Sequence, residues 1–130
     1  MQITKFEELD CWKEARVLNN LVYEIIKSSL FCRDHRLCDQ ITGTSISVMN
    51  NIAEGFGSQA NNEFMRFLRF SRRSILELQS CLYVALDQQY ISTDRFNTTF
   101  EQSIKVIKMI DGLLRYLRSY KSAKRKSQPT

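Results

Sequence analysis

The stretch NNEFMRFLRFSRRSILELQSCLYVALDQ, Asn61 to Gln88, decides the fold. Phe64, Phe67, Leu68, Ile75, Leu78, Leu82, Ala85 and Leu86 all fall on one side of it when the chain is wound at 3.6 residues per turn. Arg66, Arg69 and Arg73 fall on the other, with Phe70 expected to be exposed among them. A strand alternates its faces every second residue and would scatter both sets. The segment therefore reads as an amphipathic helix of about eight turns. Asn61 is the expected N-cap, its side-chain oxygen accepting from a first-turn amide.

Three further segments carry the same period. Residues 7–29 place Cys11, Ala15, Leu18, Val22, Ile25 and Ile26 in one arc, with Trp12 and Tyr23 as a flanking stripe. Residues 34–54 align Leu37, Ile41, Ser45, Val48 and Ile52, and Gly43, Thr44, Ser45 and Ser47 keep the middle of that helix thin enough for close approach. Gly55-Phe56-Gly57 is expected to end it through a glycine in the left-handed cap conformation. Residues 94–120, capped by Ser92 or Thr93, align Phe96, Phe100, Ile104, Ile107, Ile110, Leu114 and Leu117. Four such helices joined by short connections make sequence neighbours antiparallel, which predicts an all-α, up-down-up-down four-helix bundle over residues 1–120. The basic segment 121–130 has no apolar period and is expected to be a disordered tail.

Composition agrees. With 4 glycines and 1 proline in 130 residues, the chain lacks the turn residues that hairpin-rich folds need. With 43% apolar and 25% charged residues, it belongs to the globular class, with one core for one domain. The N-terminus turns acidic at Glu7 and Glu8 with no apolar run behind it, so neither a secretory leader nor a membrane span is expected, and a cytoplasmic protein is. In that compartment Cys11, Cys32, Cys38 and Cys81 are expected to be free thiols. Cys32, His35 and Cys38 cluster at a helix start, but the paired four-ligand spacing of a structural zinc site is missing, so no metal is expected.

No phosphate-cradling glycine loop, His-Glu-x-x-His or dinucleotide fingerprint occurs. The single histidine makes a poor base for an activated Ser or Cys. The chain reads as a non-enzyme without cofactor. Its net charge of +5 is unevenly placed: residues 1–60 carry 6 basic and 8 acidic groups, residues 61–130 carry 13 and 6. The cations form two sets. Arg66, Arg69 and Arg73 with Phe70 suit either a seam between protomers or contact with nucleic acid. Arg115, Arg118, Lys121, Lys124, Arg125 and Lys126 follow Asp111 with no further acid, a pattern that attracts polyanions and also complements a helix C-terminus. Asn51, Glu54 and Gly55 form the most specific local signal. A polar network fixing the corner between the second and third helices is one reading, with Asn51 and Glu54 bonded to backbone or to an arginine, and a functional carboxylate at Glu54 is the other.

Asn51-Ile52-Ala53-Glu54-Gly55-Phe56-Gly57, then Glu63-Phe64-x-Arg66-Phe67-Leu68 and Ser74-Ile75-x-Glu77-Leu78, resemble the four-helix-bundle proteins encoded in intervening sequences of 23S rRNA genes. Phe6-x-x-Leu9-x-x-Trp12-x-x-Ala15, Leu37-x-x-Gln40-Ile41 and Ile107-x-Met109-Ile110-x-x-Leu113-Leu114 extend the resemblance to about residues 5–118. It implies a homopentameric barrel of four-helix bundles. It also implies kinship with the accessory variability determinant of diversity-generating retroelements, and hence RNA or DNA and a reverse transcriptase or other protein as partners. The chain departs from the family pattern at Met49, often a proline, at Thr42 and Gly43, usually basic, and at Arg73, preferably glycine. Ser58 and Ala60 replace the Arg and Ser that follow the glycines, removing a capping box on Glu63. The competing expectation is a protein-interaction scaffold with no nucleic-acid role, docking through faces such as Trp12 and Tyr23.

Overall fold

A computed structural model describes residues 2–127, with side chains through Tyr120. Four helices follow one another: α1 (Asp10–Ile25), α2 (His35–Gly57), α3 (Asn61–Asp87) and α4 (Thr93–Ser127). Each packs on its sequence neighbour, and α4 closes the ring against α1. The contacts run in opposite senses along neighbouring helices. Ser47 meets Ser74 while Gly55, later in α2, meets Phe64 and Phe67, earlier in α3; Arg72 meets Asp111 while Tyr83 meets Phe100. The expected antiparallel four-helix bundle is the fold, and no strand occurs among the described residues.

The core follows the predicted stripes in α1 to α3. Leu18, Val22, Ile41, Val48, Ile52, Leu68, Ile75, Leu78 and Leu82 are all fully buried. In α4 the stripe differs from the one expected. Thr99, Ser103 and Val106 are buried between Phe96 and Ile110, whereas Ile104 is exposed and Phe100 and Ile107 are half-buried. Small polar residues can line this seam because their hydroxyls find partners: Ser103 donates to the Phe100 carbonyl and accepts from Gln79. A buried hydroxyl so satisfied costs little. The displaced isoleucines then form an apolar outer edge.

The helix ends also differ. Phe6–Glu8 is a separate 3₁₀ turn, and α1 starts only at Asp10, because Leu9 is extended (φ −70°, ψ 127°) and buried. At the second corner, α2 runs through Gly55 and Gly57, and no glycine has positive φ. Gln59 takes the left-handed conformation instead, at φ 57°. Gly55 serves packing: a Cβ there would lie 2.8 Å from the Phe67 Cβ. Asn61 is the first helical residue rather than the cap, which is Ala60 with no side-chain bond. At the other connections the expected chemistry is present. Asp34 Oδ1 accepts from the Leu37 amide, and Ser92 Oγ accepts from the Arg95 amide.

Periodicity ends the fourth helix at Tyr120, whereas its backbone helix continues to Ser127. Side chains beyond Tyr120, and hence the expected tail contacts of Lys121, Lys124, Arg125 and Lys126, lie outside the described residues. No helix among the described residues is long and apolar enough to cross a membrane.

Candidate nucleic-acid interface

The outer face of α3 and α4 is positioned by contacts that cross between the two helices. Arg72 donates from Nε to Asp111 Oδ1 at 2.8 Å and from Nη2 to Oδ2 at 3.4 Å. Gln79 Nε2 donates to Ser103 Oγ at 2.9 Å, and the Tyr83 and Phe100 rings lie 5.6 Å apart. The Arg72–Asp111 pair, with side chains 39% and 32% exposed, contributes little to stability on its own but sets which residues share the surface. At 100° per residue Arg69 lies about 60° from Arg72, and Arg115 lies about 40° from Asp111, both turned away from the core. Arg69 and Arg115 are therefore on facing outer edges at one end of the pair. Lys108 and Arg118 lie on the same surface of α4.

The predicted arginines play different parts. Arg66 is tied to Glu63 by two bonds of 3.0 and 3.1 Å and lies over the Phe67 and Phe70 rings at 5.1 and 5.2 Å. Its hydrogen bonds hold the Glu63 carboxyl below the ordinary range. Arg73 stacks on the other flank of Phe70 at 5.8 Å. Phe70, expected to be exposed, is half-buried between the two guanidinium groups, against Phe67 at 5.9 Å. Arg69, Arg115 and Arg118 are exposed and make no ion pair among the described residues. Those three are the free cations of the face, together with Lys108, which sequence reasoning missed. Arg72 was missed as well, and only its partner 39 residues away distinguishes it from its neighbours.

The Asn51, Glu54 and Gly55 signal separates into unlike roles. Asn51 Nδ2 donates to the Ser47 carbonyl at 2.9 Å and to Ser47 Oγ at 3.0 Å. Ser47 Oγ in turn bonds Ser74 Oγ at 3.0 Å, and Ser71 Oγ donates to the Val48 carbonyl at 2.8 Å. This hydroxyl seam joins α2 to α3 through serines, not through the arginine that is one of the alternatives the sequence offers. Glu54 is exposed and makes no hydrogen bond or ion pair among the described residues, so it does not share the Asn51 network.

The Cys32, His35 and Cys38 cluster does not converge. Cys32 Sγ donates to the Ser29 carbonyl and Cys38 Sγ to the Phe31 carbonyl, and no group of three potential metal ligands forms among the described residues. Trp12 is half-buried against Phe6 at 5.1 Å with Arg16 above it at 5.9 Å, while Tyr23 is exposed. A cavity of about 310 Å³ between α1 and α4 is lined by Leu21, Glu24, Ile25, Asp94, Arg95, Thr98 and Thr99. Its Glu24 is paired with Lys27 at 3.1 Å, and no Ser or Cys nucleophile lines it beside a base.

Residues 7–112 match a family model described as 23S rRNA-intervening sequence protein. A crystal structure of a protein of unknown function from the S23 ribosomal protein family of Bacteroides thetaiotaomicron is similar in fold. Its TM-score is 0.72 at 15% identity, over 80% of this chain and 97% of that one. No curated protein matches the chain.

Proposed function

The chain belongs to the 23S rRNA-intervening sequence protein family, and from that premise we propose that it is a non-catalytic, cytoplasmic accessory protein that self-assembles and binds RNA or DNA through the basic outer face of α3 and α4. One observation carries this: Arg69, Arg115 and Arg118 are exposed on one face with no carboxylate paired to them among the described residues, while the nearby acid, Asp111, is taken up by Arg72. Free cations held on rigid helices attract phosphates without base readout. Self-assembly is supported by exposed apolar side chains on the same pair of helices. Leu76, Tyr83 and Ile104 are 47%, 51% and 36% exposed, and such residues at the centre of an interface bury readily. For the homopentamer that the family resemblance implies, a charge of +5 per chain becomes about +25, which strengthens polyanion binding at low salt.

The test is binding of labelled RNA and DNA across a salt series, with solution mass measured in parallel. Exchanging Arg69, Arg115 and Arg118 for alanine should weaken binding of every sequence alike and lower the log–log salt slope by about one per residue. Alanine at Lys121, Lys124, Arg125 and Lys126 should lower it further. Absence of binding at about 50 mM salt overturns the proposal. A stoichiometric protein partner recovered after nuclease treatment would favour the scaffold alternative, for which the exposed Leu76, Tyr83 and Ile104 edge, rather than Trp12, offers the docking surface.

A further inference from the structure

Two tyrosines on α4 have no structural occupation. Tyr116 is 64% exposed, more than any other large apolar side chain described, and Tyr120 is 51% exposed. Neither ring stacks on another aromatic, and neither hydroxyl is hydrogen-bonded among the described residues. Tyr83, equally exposed, leans on Phe96 and Phe100 at 5.0 and 5.6 Å. Tyr90 bonds Asp34 and packs on Phe31.

Lys108, Gly112, Tyr116 and Tyr120 are spaced four apart and so form one continuous ridge along the helix. Gly112 leaves the turn below Tyr116 bare, since a Cβ there would meet only Arg115 Nη2, at 3.8 Å. Arg115 flanks the ridge, and no acidic residue follows Asp111 in the chain. Two exposed rings that follow cations unpaired among the described residues supply what an unpaired nucleic-acid strand requires: faces for bases and charges for the phosphates beside them. The rings are separated by about 6 Å along the axis, wider than the ~3.4 Å repeat of stacked duplex bases. A duplex would therefore present its phosphates to the cations and leave the rings unused.

Resting on the nucleic-acid reading above, we propose that this ridge is a stacking platform for single-stranded RNA or DNA. Tyr116 and Tyr120 each take a base, and Lys108 and Arg115 hold the adjoining phosphates.

Anisotropy titrations of the full chain with a labelled oligothymidylate of about 20 nucleotides, and with a duplex of equal length, test this. Tyr116→Ala and Tyr120→Ala should each weaken single-strand binding about tenfold and leave duplex binding within about twofold, while Tyr116→Phe keeps native affinity. Arg115→Ala should weaken both ligands. A photoreactive 5-iodouracil strand should crosslink to the peptide holding Tyr116 or Tyr120. If the native chain binds but the alanine variants change neither ligand, or both equally, or if the crosslink falls only elsewhere, the platform is overturned while the basic-surface reading stands. Failure of the native chain to bind either ligand overturns both. Loss of oligomeric mass in the tyrosine variants overturns the platform in favour of a protein seam.

Discussion

Gly55 of α2 packs directly against Phe67 of α3: a Cβ on Gly55 would stand 2.8 Å from the Phe67 Cβ, 3.1 Å from Phe64 Cδ1 and 3.3 Å from the Phe64 carbonyl oxygen. The Phe67 Cβ and the Phe64 carbonyl adjoin or belong to the backbone and cannot swing aside as the Phe64 ring could. Gly55→Ala should therefore destabilise the fold by about 1–2 kcal/mol, an overpacking penalty of up to about 3 kcal/mol reduced by the better helix propensity of alanine. At Gly43 nothing lies within 4 Å, so Gly43→Ala should stabilise by about 1 kcal/mol. Urea denaturation of both variants reads the two signs; equal signs would refute the close approach.

Gln59 occupies the left-handed region at φ 57°, where a side chain costs on the order of 1 kcal/mol and glycine does not. Gln59→Gly is expected to raise the thermal midpoint by a few degrees, the shift that about 1 kcal/mol produces in a domain of this size. The same substitution inside a helix would lower it. Calorimetry of the single variant decides.

The thiols should differ sharply in reactivity. Cys11 is buried, and desolvation pushes its thiol up to about 12, whereas Cys32 is exposed. Under native conditions near pH 8 a maleimide should modify Cys32 first. Cys11 should react more slowly by on the order of 10³ or more, because it needs global opening. Peptide mapping over time would show this order, and early labelling of Cys11 would contradict the packing of α1.

Glu14 joins α1 to α4. Lys105 Nζ lies 2.8 Å from its Oε1, and Gln102 Nε2 lies 3.0 Å from Oε2 and 2.9 Å from the backbone carbonyl. The hydrogen bond from Lys105, then that from Gln102, holds the carboxyl below its ordinary 4.5. A lowered carboxylate stabilises the fold fully above 4.5, and this is lost as the pH falls through the folded value. Glu14→Gln should therefore be less stable than the native chain near pH 7, and the difference should narrow toward about pH 3. A gap that stays constant over that range would show that the pair does not titrate with folding.

What the sequence made legible differs from helix to helix. In α1, α2 and α3 most of the residues named by periodicity are buried, with Ile26, Phe67 and Leu86 half-buried at the margins of their stripes. In α4 periodicity followed Ile104 and Ile107, while the buried row passes through Thr99, Ser103 and Val106. Small hydroxyl residues give no hydropathy signal, and Ser103 counts as core only because Phe100 and Gln79 satisfy its oxygen. The basic residues were legible as charge, but not as free or engaged. Arg66 and Arg69 are three residues apart on one helix, yet Arg66 is bound to Glu63 and two rings while Arg69 has no partner among the described residues.

Local chemistry by itself determined four helices, their antiparallel order, a hydroxyl cap at Ser92 or Thr93 for the last and the basic character of the second half. Helical period, capping and short connections act over a few residues, and each is written where it acts. Tertiary structure alone decided that Gly55 is a contact point and not a cap, that Arg72 spends its charge on Asp111, and that Tyr116 and Tyr120 have no partner among the described residues. Those outcomes depend on the register in which two helices meet. Register is set by the summed fit of side chains far apart in the chain, so no window of sequence contains it.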